Sequence, residues 1–407
     1  MRVLISGASV AGPVLAYWLR HYGYTPTVVE KSPTLRKTGG HAVDLFRPAM
    51  DIIERMGLVD AVRAHRTDIE RMTIHRQGVA GAIEVDLRRM MSAVSDSHVE
   101  IMRDELSEII YDATRDDVEY VFDDSISSLT PDEDGVEVRF TRSSPRRFDL
   151  VIGADGLHSN VRALVFGPEA DYTNFLGTYL AVLTAPHDPD LDGRLLLHGA
   201  PGRLAGLYPA KHTGDARGVF LFRTTELDYH HRDTARQKLL LRQVFTGMGG
   251  IVPGLLARLD DTEAFYFDSI TQLRMHTWTR GRVSLVGDAG YCPGPAVGGS
   301  TSLAVVGAYV LAGELAAAGG DHQAGLAAYE AELGAYVRAS RAFAVGVARR
   351  LVPNTRAQLW ALARGAWLAG QLPSSLTRAV AKLNRGGVRM HDEVQLKTYA
   401  NRPRTQA

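Results

Sequence analysis

The stretch Arg2-Val3-Leu4-Ile5-Ser6-Gly7-Ala8-Ser9-Val10-Ala11-Gly12 decides how this chain begins to fold. An apolar run predicts a strand, Gly7 to Gly12 a glycine turn, and Val14, Leu15, Trp18 and Leu19 the apolar face of a helix. Gly23 ends that helix, and Thr27-Val28-Val29 begins a second strand that closes on Glu30, eighteen positions after Gly12. Such a unit sets the free N–H groups of its helix against a pyrophosphate and its acidic residue against a ribose hydroxyl pair. Gly7 permits the tight turn, Gly12 lets the helix lie close on the strand, and Ser9 replaces the middle glycine of G-x-G-x-x-G. An ordinary βαβ unit opening an α/β domain is the plainer alternative.

The rest of the composition narrows the class. A chain of 407 residues can hold two or three domains, and its 45% hydrophobic and 23% charged content is that of a globular protein. Lys+Arg equals Asp+Glu, so no net field attracts nucleic acid or an anionic membrane. Cys292 is the only cysteine, which excludes an internal disulfide and a cysteine-built metal site. The strand begins directly after Met1, and the apolar part Leu303 to Ala312 is short for a bilayer; a cytoplasmic protein with no membrane span is expected.

Further along, Gly39-Gly40-His41-Ala42-Val43-Asp44-Leu45-Phe46-Arg47-Pro48 predicts a loop entering an extended segment, followed by a helix from Ala49 to Met56. Arg47 suits either a solvated loop or a cofactor phosphate. Met72 to Val85 alternates as two short strands, and Val99 to Leu106 passes from strand to helix with Arg103 at the junction. Val118 to Ser128 and Gly135 to Arg142 predict a hairpin. From Thr178 to Thr224 the pattern changes to strands separated by turns, an antiparallel sheet inserted into the first domain, followed by helices from Thr234 and Ile251 and a strand from Tyr266 to Met275. The chain from His322 is mostly helical, with breaks at Pro353 and Pro373 and a polar tail from Asn401 to Ala407.

Two more strands end as the first one does. Asp149 to Gly153 runs into Asp155-Gly156, with His158, Ser159 and Arg162 following, and Val283 to Val286 runs into Gly287-Asp288. Asp155 at such an edge either meets a ligand or caps the next helix. After Asp288 comes Pro293-Gly294-Pro295-Ala296-Val297-Gly298-Gly299-Ser300-Thr301, a glycine-rich loop opening a helix whose free N–H groups suit an electron-rich ligand edge.

In this ordered trio the chain resembles the single-component FAD-dependent aromatic hydroxylases typified by para-hydroxybenzoate hydroxylase, most of all their short tetracycline-oxidising and polyketide-hydroxylating members. The resemblance covers Met1 to Glu314. It implies an α/β fold: a FAD-binding Rossmann-like domain (1–71, 99–177 and 276–320), an inserted antiparallel sheet for substrate (72–98 and 178–275) and a C-terminal helical region (321–407). It implies cofactor contacts from Gly7, Ser9, Ala11, Gly12, Glu30, Lys31, Arg47, Arg103, Asp155, Gly156, Asp288, Pro295, Gly298, Gly299, Ser300, Thr301 and Ser302. Departures from the family pattern are Ser9, Gly290-Tyr291 for Ala-His, Ser300 for glycine, Ser302 for asparagine and Gly307 for aspartate.

The implied function is a monooxygenase: NAD(P)H reduces FAD, O2 adds to give a C4a-hydroperoxide, and one oxygen passes to an aromatic or polycyclic small molecule. No metal is implied, no side chain is assigned as a catalyst, and a monomer or homodimer is expected. Candidate substrate contacts are His198, Tyr208, Phe222 and Gln272 of the inserted sheet, with His212 as a further candidate base. A halogenase on this fold would carry a Trp-x-Trp-x-Ile-Pro segment, and the chain has none. A flavin-dependent dehydrogenase and a flavoprotein that binds its compound without turnover remain as alternatives. A disulfide reductase is excluded by the missing cysteine pair.

Overall fold

The computed structural model describes residues 1–35, 40–88, 98–262, 264–297, 299–371, 391 and 393–400. The opening unit folds as strand Arg2–Ser6, helix Ala11–His21 and strand Thr25–Glu30. Val3, Leu4 and Ile5 are wholly buried because both faces of their sheet are covered, which explains a continuous apolar run where a half-buried strand would alternate.

That sheet has six strands in the order Thr279–Arg280, Val283–Leu285, Leu150–Gly153, Arg2–Ser6, Thr25–Glu30, Glu119–Phe122. All its pairings are parallel except that of the edge strand Thr279–Arg280. The register sets Ser6 against both Val29 and Gly153, and Gly153 against Leu285. The turns after these strands therefore leave side by side at one carboxyl edge: Gly7 to Gly12, Glu30-Lys31, Asp155-Gly156 and Gly287-Asp288.

The predicted hairpin strand Val118 to Ser128 is in fact two strands in two sheets. Glu119–Phe122 joins the six-stranded sheet, whereas Ile126–Pro131 pairs with Val136–Phe140. Asp123 takes a left-handed φ of 60° at the corner, and the Asp124 carboxylate accepts from the backbone N–H groups of Ser125, Arg142 and Ser143. Two short polar residues fix a bend there that apolar patterning does not report.

A second, seven-stranded sheet runs Phe265–Leu273, Thr173–Pro186, Asp215–Arg223, Arg203–Ala210, Arg194–Ala200, Arg71–Arg76, Ala82–Asp86. It is antiparallel except where Arg194–Ala200 meets Arg71–Arg76. One face packs Tyr179, Phe220, Phe222 and Phe267 into a core with the helices Thr234–Phe245 and Val252–Ala257. A small two-stranded ladder, Ala42–Leu45 with Val99–Met102, lies where the two parts of the molecule meet.

The helix predicted from Leu303 starts at Ser300, because Gly299 at φ 85° turns the chain directly into it, and it runs to Ala317. It is apolar enough to cross a membrane by composition, yet 83% of it is buried inside the protein, against the helix Ala11–His21 among others. The helices His322–Leu351 and Arg356–Gln371 follow, the first ending before Pro353. The predicted break at Pro373 and the tail from Asn401 lie outside the described residues.

Candidate active site

The aligned strand ends enclose a cavity of about 370 Å³ lined by Gly7, Ser9, Ala11, Glu30, Lys31, Arg103, Asp155, Gly156, Asp288, Ser300 and Thr301. Eleven residues predicted from separate stretches thus share one wall. Gly7 has φ 110°, and a Cβ on Gly12 would stand 1.9 Å from the Gly7 carbonyl oxygen, so both glycines are sterically required. Gly12 meets this turn and is not itself in the lining. Ser9 needs no left-handed backbone and is exposed, which explains why a serine can replace the middle glycine.

Two helices begin at this cavity without a capping side chain and without an acid in their first turn: Ala11–His21 and Ser300–Ala317. Their first N–H groups carry the positive end of the helix dipole, about half an elementary charge, and remain open to an anion. By contrast, the helix His322–Leu351 is capped by Asp321.

The carboxylates at the edge also organise their own turns. Glu30 accepts from Ala8 N at 2.8 Å and Ser32 N at 2.9 Å, tying the glycine turn to the second strand. Asp155 accepts from Asn160 N at 3.0 Å, Val161 N at 3.1 Å and the Ser159 hydroxyl, so it caps the next helix while lining the cavity. Of the two roles foreseen for it, helix capping is present, and its side of the turn also faces the cavity. Asp288 accepts from the Ser300 hydroxyl at 2.6 Å, coupling the Gly-Asp turn to the helix start. Burial pushes the carboxyls of Asp155 and Asp288 up, and these hydrogen bonds oppose it.

An adjoining cavity of about 810 Å³ shares Arg103, Asp155, Gly156, Asp288, Ser300 and Thr301 with the first. It also touches Pro295 and Gly299. Gly298 lies outside the described residues. The second cavity is roofed by the other face of the seven-stranded sheet, through Leu180, Leu195, Leu197, Leu204, Gly206, Val219 and Leu221, part of which also packs against Ala344 and Ala348.

Of the four predicted substrate contacts, only Tyr208 reaches this cavity, its hydroxyl accepting from Ala42 N at 3.1 Å. Strand alternation removes two others. Leu195 and Leu197 face the cavity, so His198 faces away, bonded to Gln77 at 3.1 Å and stacked with His75. Val219 and Leu221 face it, so Phe222 is wholly buried in the opposite core. Gln272 lies farther along its strand, its amide donating to the carbonyls of Pro293 and Arg341. His212 is exposed beside His65.

Two predicted cofactor residues also lie elsewhere. Arg47 is exposed at the start of helix Arg47–Arg55 and lines neither cavity. Ser302 is buried, accepting from Phe46 N and donating to the Asp44 carbonyl, both at 2.9 Å, so it clamps the neighbouring segment. Two departures from the expected motif explain each other. The hydroxyl of Tyr291 lies 1.9 Å from where a Cβ on Gly307 would be, so the tyrosine fills the space a side chain at 307 would need.

Sequence reasoning missed His41, Tyr266, Asp268 and Arg232, all of which line the larger cavity. It noted His158 without a role. The structure places that ring on both cavity walls, held by Glu169 at 2.9 Å and Asp268 at 3.1 Å, with His231 stacked on it at 4.6 Å. Burial disfavours its charge, but the bonds to Asp268 and Glu169 outweigh that and push it up to about 10. His158 therefore ties the Asp-Gly turn to the roofing sheet as an imidazolium. Its place after Asp155-Gly156 was the available signal; Asp268 gave none.

Comparison with known proteins matches this geometry. A family model described as an FAD binding domain matches residues 1–344. A protein called flavin-dependent monooxygenase, from an unknown prokaryotic organism, is 41% identical over 87% of this chain and 91% of its own length. A flavin-dependent monooxygenase of Legionella longbeachae serogroup 1 (strain NSW150) is 38% identical over 85% of this chain and 88% of its own. The crystal structure of the tetracycline destructase Tet(55) superposes with a TM-score of 0.82 at 36% identity, covering 98% of both chains.

Proposed function

We infer the substrate of this protein from the premise that the chain belongs to the FAD binding domain family and is an FAD-dependent monooxygenase. The inference is an apolar, fused-ring small molecule of the polyketide or antibiotic kind, oxygenated with NAD(P)H and O2. The observation that carries it is the larger cavity: about 810 Å³, walled by leucines and valine, and continuous with the dinucleotide cavity. A resistance protein against a polycyclic antibiotic is the sense of the tetracycline destructase likeness.

The residues present fit FAD. Two uncapped helix starts face the smaller cavity, and Gly7 and Gly12 leave no room for a side chain where a phosphate chain must approach. Gly7, Ser9, Ala11 and the start of the first helix would hold the pyrophosphate, with Gly12 keeping that helix close. Glu30 and Lys31 would hold the adenosine ribose, Arg103 the neighbouring phosphate, and Asp155, Gly156 and Asp288 the ribityl side. Pro295, Gly299, Ser300 and Thr301 would lie along the isoalloxazine.

Bound and reduced, FAD would supply the activation of O2 needed to place one oxygen on the substrate. The chain's residues do the remainder. The N–H groups opening the helix Ser300–Ala317 offset negative charge that develops at their end. Leu180, Leu204 and Leu221 press the ring system against the shared wall and exclude water, which would otherwise release peroxide unproductively. His158, bridging Glu169 and Asp268, holds the roofing sheet over the Asp-Gly turn.

The division of labour follows the sheets: the six-stranded part holds cofactor, the seven-stranded part roofs substrate, and the C-terminal helices brace both. The cytoplasm, where NAD(P)H is kept, is the compartment that suits this chemistry. The purified holoenzyme should oxidise NAD(P)H faster with a suitable polycyclic phenol and yield a product heavier by one oxygen. NAD(P)H consumption without an oxygenated product from any compound of the class would overturn this reading.

A further inference from the structure

We propose that His41 is the hydroxyl-recognising residue of the substrate cavity, its imidazole accepting a hydrogen bond from a phenolic or enolic hydroxyl of the ring system. This rests on the fused-ring reading above and sharpens it to substrates with an acidic hydroxyl at one edge.

The position is fixed before any ligand arrives. His41 immediately precedes the strand Ala42–Leu45, its carbonyl accepts from Arg103 N at 3.1 Å, and Gly40 on its other side packs on Asp104. The ring faces the larger cavity and leans on Tyr266, centroids 5.9 Å apart and planes at 34°. No described residue hydrogen-bonds to either ring nitrogen. The same cavity wall mixes leucines, Leu180, Leu204 and Leu221 among them, with charged groups, and the Arg103 and Asp44 charges act on the ring. A half-buried polar ring that faces the cavity with no described partner points to a partner carried by the ligand.

The charge state suits the task. Burial, reinforced by the Arg103 guanidinium and opposed by Asp44, holds the imidazole down at about 3. The ring stays neutral at working pH, so one nitrogen keeps a lone pair to accept with and the other a hydrogen to donate. Its neighbour is committed elsewhere: the Tyr266 hydroxyl donates to Asp268 at 3.3 Å, and Asp268 is already held by His158. His41 is thus the free acceptor of this corner. A bond from the substrate hydroxyl to His41 would orient the ring and raise electron density at the carbons beside the oxygen, where an electrophilic oxygen adds.

The test uses the holoenzyme and two probes of nearly equal shape, 2-naphthol and 2-methoxynaphthalene, with binding read from the visible absorption of bound FAD. The wild-type protein should bind the naphthol about tenfold more tightly than the ether, the worth of one well-formed hydrogen bond. His41→Phe should abolish that preference while FAD affinity and the ligand-free FAD spectrum stay unchanged. His41→Gln, which keeps an acceptor, should restore part of it. A preference that survives in His41→Phe, or equal binding of the two probes to wild type, would overturn the inference alone. A change in the ligand-free FAD spectrum of His41→Phe would overturn it by assigning the ring to the cofactor. If neither probe binds wild type, the fused-ring reading falls and takes this inference with it.

Discussion

The two cavities meet along one wall yet are built from different parts of the chain. The smaller cavity is walled by a glycine turn, two open helix starts, and carboxylates that mostly hold turns in place. The roof of the larger cavity is side chains of alternate residues on a sheet. The difference separates two kinds of tolerance. Ser9 can stand for a glycine because it sits exposed in a turn of ordinary φ. No such latitude exists on the sheet, where shifting a side chain by one position moves it from the cavity into a core.

The largest effect on binding should come from Gly12→Ala. Its Cβ would overlap the Gly7 carbonyl, so FAD binding should weaken by more than about a hundredfold, or roughly 3 kcal/mol. Flavin retained after dialysis measures it; a full complement of FAD would break the contrast drawn here.

Next comes the buried face of the roofing sheet. Phe222→Ala should cost about 3–5 kcal/mol in denaturant unfolding, with ligand affinity of the folded enzyme unchanged. Leu221→Trp, one residue away on the cavity face, should raise the KM for polycyclic substrate about tenfold, at a stability cost of about 1–3 kcal/mol because Leu221 is itself packed in a cluster. Equal behaviour of the two variants would sink the alternation argument.

A smaller change tests the linked departures. Gly307→Ala should cost about 2 kcal/mol because its Cβ meets the Tyr291 hydroxyl, and Tyr291→Phe in the same chain should recover part of it. Absence of recovery would mean that the two positions are independent.

The smallest effect is electrostatic. His158 is pushed up to about 10, above the ordinary histidine value of about 6.5, so its pairing with Asp268 and Glu169 stabilises the fold fully below that lower value. The contribution fades as pH rises toward 10. The Tm gap between wild type and His158→Gln should therefore be wider at pH 6 than at pH 10; a gap of constant size would remove the charge from the account. Asp268, Glu169 and the stacked His231 are the titratable groups facing it.

The sequence by itself determined the strand–turn–helix opening, the carboxyl-edge turns and hence the residues of the smaller cavity, because each of those features is local. A glycine at a tight turn and a strand ending in Asp-Gly are written in a few adjacent residues, and parallel pairing then brings them to one edge. Arg47 and Ser302, expected at the cofactor, stand respectively exposed at a helix start and in a backbone clamp, neither of which the motif positions report. The sequence pattern also joined Glu119–Phe122 to Ile126–Pro131, since a bend made by Asp123 and Asp124 leaves the apolar pattern unbroken. Only the tertiary structure decided which face of the second sheet is roof and which is core, for both faces are apolar and period alone cannot rank them. It alone brought together Tyr291 with Gly307, His158 with Asp268, and His41 with Tyr266. These pairs are distant in the chain, and no residue in them carries a local sign of the other; their meaning comes from packing.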